Sequence, residues 1–337
     1  MLWIADEVRG ALARRKPVVA LESTLFAHGL PAPRGVATAR ALEAIVRGAG
    51  ATPATVGMIE GRLIVGLADA EIVRIADGPA TRKLSRSDLA HAAATRATGA
   101  TTVSATMIAA HRAGIPLFAT GGIGGVHRGV EQTMDVSADL TELGRTPVCV
   151  VAAGAKSILD LPRTLELLET HGVPVIGYAT DELPAFFVRS SGLSLHQRVE
   201  DAEEAARVIR AQQQLGLETG ILLARGLSAA FGIDVKLKWP NDLLVDRRKL
   251  GGLLIEARSN DDGEGWAVIG LGLNVRGTRA ELDARGLSGA TSLEACGAAP
   301  ALLEGETPLD EVLAILDEGV GEPSADPLPE AFAAVSG

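Results

Sequence analysis

The chain is poor in cysteine and in aromatic residues. Its 337 residues include two cysteines, Cys149 and Cys296, and aromatic residues make up 3% of the sequence. Two thiols cannot form a disulfide framework or a thiolate zinc site. The sequence also lacks a long uncharged apolar run, and its N-terminal stretch lacks the apolar core and cleavage site of a signal peptide. These absences predict a soluble cytoplasmic protein that does not act at a membrane.

Basic residues are missing from the end of the chain. Residues 286–337 contain ten Asp or Glu and no Lys or Arg, whereas the first 285 residues carry 32 basic and 32 acidic side chains. A neutral body with an acidic tail offers no basic stripe to a phosphate backbone, so we expect no binding to a nucleic-acid polymer. A small nucleotide could still enter a local pocket. Hydrophobic residues make up 47% of the chain, which is ample for a folded core.

Apolar runs alternate with amphipathic stretches over the first two thirds of the chain. The pattern predicts an opening helix at about residues 3–15 and a hairpin that turns at Glu60 and Gly61. Further strands are predicted in PVVALEST, IPLFAT, TPVCVVAAG and VPVIGYAT. Strands that alternate with helices predict an α/β fold with a mostly parallel or mixed sheet covered on both faces. In such sheets ligands bind at the carboxyl ends of the strands.

The pattern changes near Leu222. After a helix predicted at Glu200–Gly216, the segments VKLKWPNDLLV, RRKLGGLLIEA and WAVIGLGLNV indicate short strands joined by tight turns. The sequence therefore predicts a first domain at 1–221, a second segment at 222–293 and an acidic, partly disordered tail at 294–337.

Two polar residues follow apolar strands and are candidates for catalysis. Glu22 ends the strand in ALEST, where partial burial would raise its pKa and suit it to general acid or base work. The alternative is a carboxylate that caps a helix or bonds a loop. Lys156 follows the strand in CVVAAGAK, and a desolvated lysine can lose its proton and attack carbon. The alternative is a solvated surface lysine.

Other motifs carry weaker signals. Asp135 in MDVSADL could hold a hard divalent cation largely through waters, or either Asp135 or Ser137 could cap the next helix. The loop Gly121–Gly125, followed by His127, could present backbone amides to an anion, although it matches no phosphate-loop pattern. Lys83 could meet a phosphate or lie solvated at a helix entry.

Taken in order, seven segments resemble one family. ALEST with a following HGLP, TRKLSRSDLA, GATTVSATM, FATGGIGGVHRG, DVSADL, AGAKSILD and GYATDELPAFFVRSSG resemble the pseudouridine-5′-phosphate glycosidases over about residues 5–222. The resemblance implies an α/β/α layered fold, a homotrimer and a role in nucleotide metabolism. It implies reversible cleavage of the C–C glycosidic bond of pseudouridine 5′-phosphate to uracil and ribose 5-phosphate, the pseudouridylate synthase reaction in reverse.

The same resemblance implies roles for individual residues. Glu22 would be the proton donor, and Lys156 the nucleophile that attacks the anomeric carbon of the ribose. Asp135 would ligate a divalent cation, usually Mn²⁺, and His127 is a further candidate for phosphate contact or proton transfer. The residues implied to contact the substrate are Lys83, Val103, Ser137, Ala138 and Asp139.

The resemblance changes after Leu222. Residues 222–293 resemble the later half of the biotin protein ligase catalytic domain, a partial α+β segment in which Asn241, Asp242, Lys249 and Asn274 would line the biotinyl-adenylate pocket. The glycine- and arginine-rich loop that precedes this half in ligases is absent from the sequence. The sequence therefore predicts a fusion whose activity is that of the first domain. An inactive protein that binds sugar phosphate is the second hypothesis, and a biotin ligase fragment is the third.

Overall fold

The computed structural model describes most of the first 225 residues and shorter stretches beyond them. The described residues are 1–29, 34–78, 80–156, 158–186, 191–225, 236–238, 242–245, 247–259, 265–274, 277–292 and 294–296. The chain forms two compact units, Met1–Ser228 and Ala229–Gly337. Most of the predicted tail at 294–337 lies outside the described residues.

The first unit alternates strands and helices. Its strands are β1 (Leu2–Ile4), β2 (Val18–Leu21), β3 (Thr52–Ile59), β4 (Arg62–Val65), β5 (Arg82–Leu84), β6 (Gly99–Thr101), β7 (Leu117–Ala119), β8 (Cys149–Ala152), β9 (Val175–Tyr178), β10 (Gln197–Val199) and β11 (Ile221–Ala224). Its helices are α1 (Asp6–Ala13), α2 (Thr24–His28), α3 (Arg34–Gly48), α4 (Asp69–Ala76), α5 (Leu89–Ala94), α6 (Val103–Ala113), α7 (Val130–Thr133), α8 (Ala138–Leu143), α9 (Leu161–Thr170) and α10 (Ala202–Gln214). A 3₁₀ turn at Arg86–Asp88 precedes α5.

These strands form one sheet among the described residues, in the order β1-β4-β3-β2-β7-β8-β11-β9-β10. The strands from β2 through β7, β8, β11 and β9 to β10 are all parallel, whereas β4 and β6 each pair with β3 in antiparallel register. The α/β fold with a parallel-rich sheet is as the sequence predicted. Because β2, β7 and β8 are parallel neighbours, the residues after their last positions meet at one edge of the sheet.

The strands at the centre of the sheet are short and apolar. Ala20, Phe118 and Val150, one from each of β2, β7 and β8, are fully buried in the main hydrophobic core. Burial on both faces explains why these strands appear in the sequence as continuous apolar runs. The core therefore fixes the three strands whose carboxyl ends carry the candidate residues.

Two expectations from the sequence need correction. The predicted opening helix at 3–15 begins later, at Asp6, because Leu2, Trp3 and Ile4 pair with β4 as an edge strand. The acidic residues Asp6 and Glu7 occupy the first turn of α1, where they favour the helix start. The predicted boundary near Leu222 falls inside β11, which lies between β8 and β9 and belongs to the first unit.

The second unit contains an antiparallel sheet. Its strands are β12 (Lys236–Lys238), β13 (Asp242–Val245), β14 (Arg248–Ser259) and β15 (Gly265–Leu273), paired in that order, and α11 (Arg279–Ala284) follows. Thr278 caps α11 by accepting a hydrogen bond from the backbone N–H of Glu281. Strands are found in this part of the chain as predicted, but β14 with 12 residues and β15 with 9 residues are longer than the short strands that the sequence indicated. Of the helices that the structure describes, none has the length and apolar character needed to cross a bilayer.

Candidate active site

Glu22 lies directly after β2, and hydroxyl groups hold both of its carboxylate oxygens. Thr120 donates a hydrogen bond to Oε1, and Thr24 donates one to Oε2. The side chain is partly buried. Burial raises the pKa of Glu22 and is the largest influence on it. The two hydroxyls and the positive charge of Lys156 lower that pKa, and the negative charge of Asp139 raises it. The geometry suits a carboxyl group that carries a proton at higher pH than a free glutamate.

Lys156 follows β8 on a loop that is bonded to the glycine-rich loop. Its backbone N–H donates to the carbonyl of Ile123 at 3.1 Å, and the N–H of Ile123 donates to the carbonyl of Gly154 at 3.0 Å. Gly154 has a φ of +95°, and an added Cβ would lie 2.2 Å from the carbonyl oxygen of Pro184. Lys156 itself is exposed in this chain. Of the two alternatives that the sequence left open for Lys156, the solvated lysine is the one seen in the single chain.

Asp139 organises the glycine-rich loop from the start of α8. Its Oδ1 accepts a hydrogen bond from the backbone N–H of Ser104 at 2.8 Å, and its Oδ2 accepts one from Gly124 at 2.9 Å. An added Cβ on Gly124 would lie 2.2 Å from the Oγ of Ser137. Gly124 is thus required by close packing. The amides of Ile123, Gly124 and Val126 all donate to protein oxygens, so they are not available to an anion as the sequence suggested.

Ser137 and Ala138 stand where α8 begins. Ser137 is the N-cap residue, because its Oγ accepts a hydrogen bond from the backbone N–H of Asp139 at 3.2 Å. Ala138 is the first residue of the helix, and both residues are half-buried. The helix-cap alternative for Ser137 is confirmed, and the cap fixes the direction in which Asp139 leaves the helix.

Asp135 lies beside His127 on the approach to α8. The carboxylate Oδ2 is 3.7 Å from His127 Nδ1, and the backbone N–H of His127 donates to the Asp135 carbonyl at 3.0 Å. The Asp135 side chain is 61% exposed. Within the described residues no cluster of three or more His, Cys, Asp or Glu could hold a metal ion. A single exposed carboxylate fits a hard cation that keeps most of its water.

Lys83 and Val103 lie on adjoining segments. Lys83 is exposed in β5 and pairs with Ala100 of β6, and Val103 is the buried first residue of α6. The backbone N–H of Thr102 donates to the carbonyl of Leu84 at 2.9 Å, which ties the end of β5 to the start of α6. Lys83 and Val103, which the resemblance associates with the substrate, therefore lie on adjoining segments.

Buried hydroxyl groups connect the end of β6 to Ser23, the residue that follows Glu22. Ser23 is fully buried, and its Oγ accepts a hydrogen bond from the backbone N–H of Thr101 at 2.8 Å. Thr101 Oγ1 in turn donates to the carbonyl of Val56 at 2.9 Å and accepts from Thr106 Oγ1 at 2.9 Å. These groups and Thr120 were not predicted from the sequence. The position of Thr120 directly after β7 is a signal of the same kind as that of Glu22.

The candidate ligand residues of the second unit have structural partners or are not described. The Asn274 side-chain amide donates to the carbonyls of Lys249 at 3.3 Å and Thr291 at 3.0 Å, which joins β14 to the segment before Ser292. Asp242 is the first residue of β13. Asn241 lies outside the described residues. The structure thus gives Asn274 a connecting role within its unit.

The fold, with polar side chains at the carboxyl ends of parallel strands, is that of an α/β enzyme. The comparisons agree. The model of the family "Indigoidine synthase A like protein" matches residues 7–238. A pseudouridine-5′-phosphate glycosidase of Caldanaerobacter subterraneus subsp. tengcongensis is 54% identical over 231 residues, which are 68% of this chain and 75% of the relative. The chain belongs to the family of indigoidine synthase A-like proteins.

Solved structures support the same assignment. A prealnumycin C-glycosynthase, solved in complex with ribulose 5-phosphate, is 47% identical with a TM-score of 0.63, over 67% of this chain and 73% of that chain. An indigoidine synthase A-like protein from Thermotoga maritima is 34% identical with a TM-score of 0.61, over 66% of this chain and 73% of that chain. The residues that match the family model, 7–238, include Glu22 and Lys156.

Proposed function

We propose that the protein is a pseudouridine-5′-phosphate glycosidase, which reversibly cleaves pseudouridine 5′-phosphate to uracil and ribose 5-phosphate. Relatives more than 50% identical over about two thirds of the chain carry that name. The observation that supports the proposal most is the placement of Glu22 after β2 and Lys156 after β8, two strands that flank β7 in parallel register. An acid and an amine are the two groups that this reaction requires.

The chemistry explains why an amine is needed. A carbon leaving group is harder to expel than oxygen, so a pair of carboxylates alone is insufficient. Glu22 protonates the ribose ring oxygen as the Lys156 amine attacks the anomeric carbon, and the C–O bond of the ring breaks. The attached nitrogen returns a proton to the Glu22 carboxylate, which restores the nitrogen lone pair. Glu22 then protonates the uracil carbon, the C–C bond breaks, and the nitrogen lone pair forms a protonated imine. Water hydrolyses the imine to release ribose 5-phosphate and the free amine.

The remaining residues would bind the substrate. We assign Lys83, Val103, Ser137, Ala138 and Asp139 to contacts with the sugar phosphate and base. Lys83 supplies a positive charge on an exposed strand, and His127 is a further candidate for phosphate contact. Asp135 would hold Mn²⁺ or another divalent cation, whose charge would favour binding of the phosphate.

Uracil release from pseudouridine 5′-phosphate with added Mn²⁺ tests the proposal. We expect turnover by the wild-type protein and a loss of at least about a thousandfold in Lys156→Ala, because the covalent route is removed. Lys16→Ala, which removes an exposed lysine before β2, is the matched control and should keep full activity. Equal turnover in the Lys156→Ala and wild-type proteins would contradict the assignment of the nucleophile.

The alternative is a protein that binds sugar phosphate without turnover. The exposure of Lys156 favours this alternative, because nucleophilic lysines are typically desolvated. Calorimetric binding of ribose 5-phosphate together with no uracil release would establish this alternative.

Assembly, location and the second unit are further proposals. We propose a cytoplasmic homotrimer in which burial by a neighbouring subunit supplies the desolvation that Lys156 lacks in one chain. Light scattering measures the oligomeric state directly. We also propose that the second unit is a fused fragment of a biotin protein ligase. It would form no biotinyl-adenylate, because the sequence lacks the glycine- and arginine-rich loop that precedes this half in ligases.

A further inference from the structure

Glu142 on α8 is a buried charge that the proposed reaction does not use. Its side chain has 0% exposure. Thr146 donates a hydrogen bond to Oε1, and the Arg86 guanidinium donates one to Oε2. A fully buried carboxylate is costly unless it is paired and hydrogen-bonded, and here both oxygens are satisfied.

The partner Arg86 belongs to the segment that carries Lys83. It begins the 3₁₀ turn after β5, and its backbone N–H donates to the Oγ of Ser104 at 3.3 Å. Its side chain is 45% exposed, so the guanidinium reaches from the surface to the buried carboxylate. Arg86 is thus tied to α6 through its backbone and to α8 through its side chain.

One face of α8 therefore holds three segments of the site. Asp139 and Glu142 are three residues apart and lie on the same side of the helix. Asp139 accepts hydrogen bonds from the starts of α6 and the glycine-rich loop, at Ser104 and Gly124. Glu142 adds the segment after β5 through Arg86.

We propose that Glu142 is a positioning residue which, through Arg86, holds the Lys83 segment against the starts of α6 and α8 and thereby sets the affinity for the sugar phosphate. The inference rests on the proposed function, in which these starts bind substrate. A pair that served stability alone could be replaced at both members by neutral side chains of similar size without loss of binding, since such replacements are often harmless. A displaced binding group, in contrast, weakens binding even when the fold is intact.

Three variants separate positioning from stability. Glu142→Gln and Arg86→Met each leave one partner of the pair unmatched, and the double variant removes both charges. We expect both single variants to melt at lower temperature, and the double variant to recover most of that loss. We expect KM for pseudouridine 5′-phosphate and Kd for ribose 5-phosphate to rise about tenfold or more in all three, with kcat within about twofold of the wild type. The double variant keeps the test valid if a single variant does not fold.

The control is the exposed pair of Arg40 and Asp69, which is bidentate and lies on α3 and α4. Arg40→Met with Asp69→Asn should leave KM and Kd unchanged. Recovery of wild-type KM and Kd together with stability in the Glu142 and Arg86 double variant would overturn the inference. If the wild type binds ribose 5-phosphate without turnover, Kd alone decides the role of Glu142. Absence of both turnover and binding in the wild type would contradict the proposed function and, with it, this inference.

Discussion

At the scale of single residues, the pKa of Glu22 is set by influences that oppose one another. Its burial favours the protonated form, whereas the hydroxyls of Thr120 and Thr24 and the charge of Lys156 favour the carboxylate. Because each oxygen accepts a hydroxyl hydrogen bond, the side chain is held in one orientation. A proton donor needs both properties, a raised pKa and a fixed direction.

The raised pKa of Glu22 predicts a pH-dependent stability. The folded chain binds this proton more tightly than the unfolded chain, so the stabilisation is complete below the unfolded-state pKa and is lost as pH rises through the folded-state pKa. Glu22→Gln has no proton to lose. As the pH rises above the unfolded-state pKa of glutamate, about 4.3, we therefore expect the melting temperature of the wild type to fall relative to that of Glu22→Gln, measured by calorimetry.

The matched control for this measurement is Glu166→Gln, which replaces an exposed carboxylate on α9. Its melting curve should follow the wild type across the same pH range. Parallel curves for Glu22→Gln and the wild type would show that the folded state does not raise the pKa of Glu22.

At the scale of elements, the loop between β7 and α7 is built by contact. Gly124 passes so close to the N-cap of α8 that no side chain fits between them. The same close approach lets its N–H reach Asp139. The glycine-rich loop therefore forms a packed connection to the start of α8.

Gly124→Ala should damage this connection. Its Cβ would meet the Oγ and Cβ of Ser137 at 2.2 and 2.6 Å. Overpacking of this kind costs about 1–3 kcal/mol, so we expect a lower free energy of unfolding in urea and a loss of substrate binding. Gly48→Ala, at a helical position with no atom within 4 Å of the added Cβ, should be neutral or slightly stabilising. A Gly124→Ala variant as stable and active as the wild type would contradict the packed loop.

The sequence analysis located the strand ends but not the contacts between them. Glu22 and Lys156 could be predicted as candidates from the sequence, because each follows an apolar run that forms an inner parallel strand. The pair of Arg86 and Glu142 could not be predicted, because the two residues are 56 positions apart in the sequence and neither belongs to a local pattern. The edge strand β1 was missed because three apolar residues before a helix continue its periodicity. Tertiary pairing decided these cases.

At the scale of the whole molecule, the placement of β11 decides where the first unit can end. The strand lies between β8 and β9 and pairs with both in parallel register. Leu222 and Leu223 are buried, and each contributes about 1.5–3 kcal/mol of apolar burial. A chain that stops at 221 loses three of the four residues of β11, although the sequence pattern favoured that boundary.

Two truncated chains test this boundary. We expect residues 1–228 to fold cooperatively, with the α/β circular dichroism spectrum of the full chain, because every strand of the parallel sheet is present. We expect residues 1–221 to aggregate or melt at much lower temperature, because β8 and β9 are left with open edges in the middle of the sheet. Equal melting temperatures for the two chains would mean that β11 adds little to the first unit. In that case the sequence-based boundary at 221 would describe the unit better than the sheet topology does.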